Sequence, residues 1–197
     1  MNEKIFITLG SQKFQFNRLL IAVDKLCEKK VISGEDVFAQ TGYSDYVPRN
    51  YSYNNFLDRD EFSVEMGKAD IVITHGGTGA IIGAVKKGKK VIAVPRRAKY
   101  GEHVDDHQLQ LIKQFDDLNL ICPCRDTDEL AEAIETVKHG YDYTLYNKDF
   151  TVMDGGIIEV DGYEITQYLL NAISCHIKMI PSLMGYILFR LEKENSK

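Results

Sequence analysis

Over the first 140 residues the apolar positions alternate between two periods. Lys4 to Leu9 (KIFITL) is a short, β-rich apolar run, and Asn17 to Cys27 then places Leu19, Leu20, Val23, Leu26 and Cys27 at helical spacing. Asp36 to Gln40 (DVFAQ) reads as a second strand and Tyr51 to Phe56 as a short third one. Asp58 to Lys68 predicts a helix, with Asp58 as N-cap and Phe62, Met66 and Ala69 on one face. Ile71 to Thr74 (IVIT) is a compact buried strand, followed by a small-residue helix from Gly77 to Lys87 that stops at Gly88. Lys90 to Val94 is a strand ended by Pro95. His103 to Phe115 reads as a helix with Val104, His107, Leu111 and Phe115 along one side. Asn119 to Cys122 is a last strand, and Thr127 is expected to cap a helix to about Lys138.

Strands and helices in strict alternation predict an α/β fold: a Rossmann-like parallel sheet with helices on both faces. In such sheets ligands bind beyond the carboxyl ends of the strands. The turns after Leu9, Gln40, Thr74 and Val94 therefore become the candidate site.

The pattern changes near residue 150, which divides the chain into a domain at 1–150 and an extension at 151–197. Asp154-Gly155-Gly156 and Asp161-Gly162 flank Ile157 to Val160 as a hairpin would. Beyond them Ile177, Ile180, Met184, Ile187, Leu188 and Leu191 recur at helical spacing, with Pro181 beginning a helix. A C-terminal helical extension follows from this, too short to span a bilayer.

Composition narrows the function. The chain is 44% hydrophobic and 27% charged, as an ordinary globular protein is. A net charge of −5 gives no electrostatic support to nucleic-acid binding. The basic clusters Lys86-Lys87-Gly88-Lys89-Lys90 and Arg96-Arg97-Ala98-Lys99 read first as solvated helix ends and loops, with contact to an anionic ligand or a membrane surface as the alternative. A signal peptide and a spanning helix are both unsupported, and a cytoplasmic location is expected. Cys27, Cys122, Cys124 and Cys175 have neither zinc nor disulfide-framework spacing, so Cys122-Pro123-Cys124 reads as a strand end with small apolar fillers.

Three turns carry chemistry. Thr74 leads into His75-Gly76-Gly77-Thr78-Gly79, where glycines admit close backbone approach and the following helix aims N–H groups and its dipole at the same point. That is an anion site suited to a diphosphate. It is neither the G-x-G-x-x-G fingerprint nor a P-loop. Gly10-Ser11, after the first strand, can line the same crevice. The stretch Gly101 to Gln108 (GEHVDDHQ) holds two histidines and three carboxylates. His103 and His107 at i and i+4 invite a metal, but no H-E-x-x-H order exists; polar contacts to a sugar or ribose are favoured and no metal is expected.

Taken together, these segments resemble a known family. IFITLGSQKFQFNRL, FAQTGY, ADIVITHGGTG, GKKVIAVPR and YGEHVDDHQ agree in order and spacing with the C-terminal, donor-binding domain of family 28 glycosyltransferases, over residues 4 to 140. The chain most resembles the short bacterial exopolysaccharide and capsule subunits, which include enhancers of β-1,4-galactosyltransferase. It is more distantly similar to the cytosolic subunit of the eukaryotic N-acetylglucosaminyltransferase that extends dolichol-linked sugar.

The resemblance implies one half of a GT-B glycosyltransferase, using a UDP-sugar as donor substrate and no cofactor. It implies that Gly10 and Ser11 face the diphosphate and sugar and that the backbone at Phe56 and Leu57 lies against uracil. Gly76, Gly77 and Thr78, with Gly79 behind them, would face phosphate, and Asp106, His107 and Gln108 the donor sugar. The peptidoglycan relative holds ribose through an acidic residue whose matching position here is Gly83, so either Glu102 substitutes or backbone groups and water hold the ribose. His75 is the best local candidate for a catalytic histidine, but it reads rather as a phosphate or sugar contact or as a structural residue. The general base is otherwise expected from a membrane-associated acceptor-binding partner subunit, which would present a lipid-linked acceptor and hold this chain at the inner face of the membrane. The expected reaction is inverting transfer in exopolysaccharide or capsule synthesis. The alternative is a non-catalytic enhancer that stabilises a separate transferase chain.

Overall fold

A computed structural model describes residues 3–140 in full and, beyond them, the backbone of three strands at 151–153, 157–160 and 163–164. The helices expected after residue 165, and Cys175, lie outside the described residues. The chain divides into two compact units, Met1–Asn147 and Lys148–Lys197.

In the first unit β1 (Ile5–Thr8), β2 (Val37–Gln40), β3 (Ser52–Asn54), β4 (Ile71–Thr74), β5 (Lys90–Ala93) and β6 (Cys122–Pro123) form one sheet in the order β3-β2-β1-β4-β5-β6. Every described pairing in it is parallel. Strands β1 and β4 are buried at every position, as expected of central parallel strands covered on both faces. That is why they were legible as unbroken apolar runs.

Helices α1 (Asn17–Glu28), α2 (Arg59–Lys68), α3 (Thr78–Val85), α4 (His107–Asp117) and α5 (Leu130–Lys138) supply the cover. Leu19, Leu20 and Val23 of α1 and Leu130, Ile134 and Val137 of α5 cluster with Ile5, Ile7, Ile71, Ile73 and Ile92. The intervening residue Phe6 points the other way and meets Phe62 of α2 edge-on, ring centroids 5.4 Å apart. Helices α3 and α4 bury Ile81, Ala84, Ile112 and Phe115 outside the first cluster. The expected Rossmann-like sheet with helices on both faces is therefore the observed fold.

Two helix starts differ from the pattern. Helix α4 begins at His107, not His103, and Val104 is 75% exposed. Its buried side is Gln108, Ile112 and Phe115. Gly101 turns left-handed at φ 66° just before this stretch, so helical spacing between Val104 and His107 was coincidental. The α5 segment is capped by Asp126, whose carboxylate accepts from the Thr127 N–H, and a 3-10 turn at Thr127–Glu129 precedes the helix. Elsewhere capping follows expectation. Asp58 accepts from the Asp60 and Glu61 N–H groups, and Glu61 returns a bond to the Asp58 N–H, completing a capping box.

The second unit contains β7 (Thr151–Met153), β8 (Ile157–Val160) and β9 (Tyr163–Glu164) as an antiparallel sheet. The expected hairpin around 157–160 is part of it. No helix among the described residues is long and apolar enough to cross a membrane.

Candidate functional site

The strand order reverses between β1 and β4, which makes the crevice above their carboxyl ends the topological switch point. Three glycine turns meet there. Gly10 leaves β1 at φ 69°, Gly42 leaves β2 at φ 58° and Gly76 leaves β4 at φ 56°. A Cβ on Gly42 would lie 2.8 Å from the Gly10 carbonyl oxygen. Gly10 and Gly77 hold the His75 ring between them: a Cβ on Gly10 would sit 2.7 Å from Cε1, and one on Gly77 2.5 Å from Nε2. Gly42 was not singled out from the sequence, although FAQTGY contains it.

His75 is 7% exposed, with Nδ1 3.4 Å from both the Thr8 carbonyl and the Thr74 hydroxyl. Burial, then the nearby Arg96 charge, pushes its pKa down to about 3. An imidazole so enclosed and so weakly basic is a poor general base at neutral pH. The ring sits between the β1 and β4 turns, packed against Gly10 and Gly77, as the structural reading of His75 requires.

Helix α3 opens on these turns with Gly77 as N-cap and no side-chain cap. The first N–H groups of a helix lack intrahelical partners, so Gly77, Thr78 and Gly79 carry amides available to an anion. Gly79 is exposed, Thr78 and Gly77 half-buried, Gly10 half-buried and Ser11 exposed. Beside them lies Arg96, 1% exposed, corrected from the solvated basic cluster expected of it. Its Nη2 donates to the Leu9 carbonyl at 2.8 Å and to that of Phe14 at 3.3 Å, tying down the β1 turn. Its Nε and Nη1 have no hydrogen-bond partner among the described residues. Burial pulls its pKa down to about 10, so it remains a cation at neutral pH.

Glu102, the side-chain alternative for the missing ribose ligand, is not free to act as one. It is 1% exposed. Its Oε1 accepts from Arg18 Nε at 3.0 Å, and its Oε2 accepts from Arg18 Nη2 at 3.0 Å and the Arg97 N–H at 2.9 Å. Arg18 also reaches Asp126 at 2.8 Å. Glu102 is a strut joining α1 to the turn after β5. A Cβ on Gly83 would meet nothing within 4 Å.

Gln108 is likewise drawn inward. It is 3% exposed, and its Oε1 accepts from the Arg96 N–H at 3.0 Å. Asp106 stays exposed while accepting from the Ala98 N–H at 2.8 Å. His107 turns Nδ1 to the Asp105 carboxylate. Its hydrogen bonds hold the Asp105 carboxyl below the usual range. Gly76 packs this helix closely: its Cβ would lie 2.9 Å from Ile112. At the far end of the crevice Phe56 is 47% exposed and meets Tyr43 edge-on, 5.1 Å between centroids. Leu57 instead lines a shallow groove with Phe38, Asn54 and Val64. Cys27, Cys122 and Cys124 are free thiols. Burial pushes Cys122 up to about 11 and Cys124 to about 12, consistent with filler rather than redox chemistry.

A single parallel sheet with its uncapped helix and glycine turns gathered at the switch point defines the class, a Rossmann-like domain with its ligand crevice at the carboxyl ends of β1 and β4. The family follows from sequence comparison. The model of the glycosyltransferase family 28 C-terminal domain matches residues 4–150, and the chain belongs to that family. A second match, to large polyvalent protein-associated domain 16, covers residues 133–177.

Among curated proteins, the human UDP-N-acetylglucosamine transferase subunit ALG13 is 29% identical over 129 residues, 61% of this chain and 11% of that protein. Its Candida glabrata counterpart is 35% identical over 100 residues, 48% of this chain and 44% of that protein. The chain thus spans about a tenth of the human relative and under half of the yeast one. These names lend no support to the exopolysaccharide and capsule setting expected from the sequence.

Among solved structures, the solution structure of ALG13 superimposes with a TM-score of 0.51 at 18% identity, covering 71% of this chain and 87% of that one. The crystal structure of CalG4, the calicheamicin glycosyltransferase, does so with 0.50 at 18%, covering 68% and 34%. At such identity these likenesses speak for the fold alone.

Proposed function

We propose that this chain is the donor-binding subunit of a two-chain inverting glycosyltransferase, holding a UDP-sugar at the switch point between β1 and β4. The observation that carries the proposal is where the α3 N-terminus lies: at the switch point, opening on the left-handed Gly10 and Gly76 turns, with its first amides capped by no side chain and the buried Arg96 cation holding the β1 turn. The donor's diphosphate lies against the amides of Gly77, Thr78 and Gly79 and the Gly10-Ser11 turn. These groups also stabilise the charge that develops on the leaving diphosphate. The uracil lies toward the backbone of Phe56 and Leu57, beside the exposed Tyr43–Phe56 pair. Asp106, with His107 behind it, faces the sugar, and Gln108 acts by holding the Arg96 backbone in place. Ribose is held by backbone groups and water, because Glu102 is committed to Arg18.

N-acetylglucosamine is the first sugar to test, supported by the names of the two curated relatives. The word subunit in those names supports the two-chain reading. The general base and a lipid-linked acceptor then come from a membrane-associated partner, with this chain peripheral to the membrane through it.

Co-expression with an acceptor-type subunit, followed by assay against a panel of UDP-sugars, tests the proposal. Transfer that needs both chains is expected. Full transfer by the partner alone, or undiminished transfer when the donor turn is mutated at Gly77, makes the chain an enhancer instead.

A further inference from the structure

The segment between β5 and α4 brings together three side chains that the donor proposal does not need as a group. His103, Asp105 and His107 each offer one ligand atom, and these atoms lie within 4.8 Å of one another. The Nδ1 atoms of both histidines face the same Asp105 oxygen. That of His103 is 3.3 Å away; the wider separations, up to 4.8 Å, close toward the edge of about 3.3 Å of a tetrahedron with metal–ligand bonds of about 2.0 Å when an ion is bound. The two rings are 4.8 Å apart and inclined at 70°, so they converge without stacking.

We propose that His103, Asp105 and His107 form a binding site for one divalent transition-metal ion of the zinc class.

The backbone makes this possible. On an α-helix, residues i and i+2 point to different sides, and Asp105 would turn away from a His103–His107 pair. Here residues 103–106 are not helical, and α4 starts only at His107. The H-x-D-x-H order therefore converges, where a helix would have left two ligands. The donor set selects the ion: two imidazoles with one carboxylate suit zinc, cobalt, nickel or iron, while magnesium and calcium want oxygen ligands. Access is graded. The His103 side chain is 6% exposed and packs on Phe14, ring centroids 4.9 Å apart, which fixes one ligand in advance. Asp105 and His107 are 56% and 38% exposed, leaving a side open for entry and a fourth ligand from solvent. A cation at a helix N-terminus meets an unfavourable dipole; the carboxylates of Asp105 and Asp106 oppose it. The bound ion would brace the loop whose Asp106 bonds the Ala98 N–H.

The test uses the full chain, tag removed and stripped with chelator. It is titrated with Zn²⁺ by calorimetry and with Co²⁺ by visible absorption. One ion per chain and the absorption of tetrahedral Co²⁺ are expected. Asp105→Asn and His107→Gln should each weaken binding by about tenfold or more. Melting temperatures without metal should stay at the wild-type value, showing that the variants fold. Absence of saturable binding overturns the proposal. So does binding unchanged in both variants, which would put the ion on cysteines or histidines elsewhere.

Discussion

Arg18 and Glu102 meet edge to edge, Nε to Oε1 and Nη2 to Oε2, both at 3.0 Å. The pair spans 84 residues of sequence and fastens α1 to the turn after β5, with side chains 17% and 1% exposed. Glu102→Gln leaves a largely buried guanidinium without its bidentate partner. A loss of about 3 kcal/mol is expected by chemical denaturation. Affinity for UDP, measured where the variant is still folded, should change little. A selective loss of UDP binding with stability intact would restore Glu102 to the ribose.

Gly77 and Gly79 make a matched pair. A methyl at Gly77 would press on His75 Nε2 at 2.5 Å, whereas one at Gly79 meets nothing within 4 Å. Gly77→Ala should cost about 1–3 kcal/mol and shift the β1 turn with His75. Gly79→Ala should be neutral or stabilise by up to about 1 kcal/mol, because alanine favours the helix. Equal melting temperatures for the two variants would show that His75 does not fix the spacing.

The strands were plain in the sequence because buried parallel strands are unbroken apolar runs: IFIT and IVIT admit no other placement. The glycine turns after β1 and β4 were plain because few other residues take positive φ, whereas Gly42 after β2, at φ 58°, was not singled out. The stretch from Gly101 to Gln108 was not. Its conformation is set by side-chain bonds to distant backbone, Asp106 to Ala98 and Gln108 to Arg96, which leave no periodic trace. The burial of Arg96 was hidden for a related reason: an arginine in a basic cluster looks solvated until the β1 turn folds over it. The pairing of Glu102 was hidden because its partner Arg18 is far away in sequence.

The pH dependence of stability reports on His75. Its folded pKa, about 3, lies below the value near 6.5 of an unfolded histidine. The unfolded chain therefore binds the proton more readily between those values. The stability tied to neutral His75 is fully present above about pH 6.5 and is lost as pH falls toward 3. The slope from this group approaches about 1.4 kcal/mol per pH unit. In His75→Gln the drop in denaturation midpoint between about pH 7 and pH 5 should be smaller than in the wild type. Parallel curves would mean that His75 is not held neutral.

The most direct measurement follows the backbone amides of the isotope-labelled chain by nuclear magnetic resonance while UDP-N-acetylglucosamine is added. The resonances of Gly10, Ser11, Gly77, Thr78 and Gly79 should move and saturate together, with those of α5 unmoved. No movement at millimolar ligand, or movement confined to another part of the fold, would contradict a donor site at the uncapped start of α3.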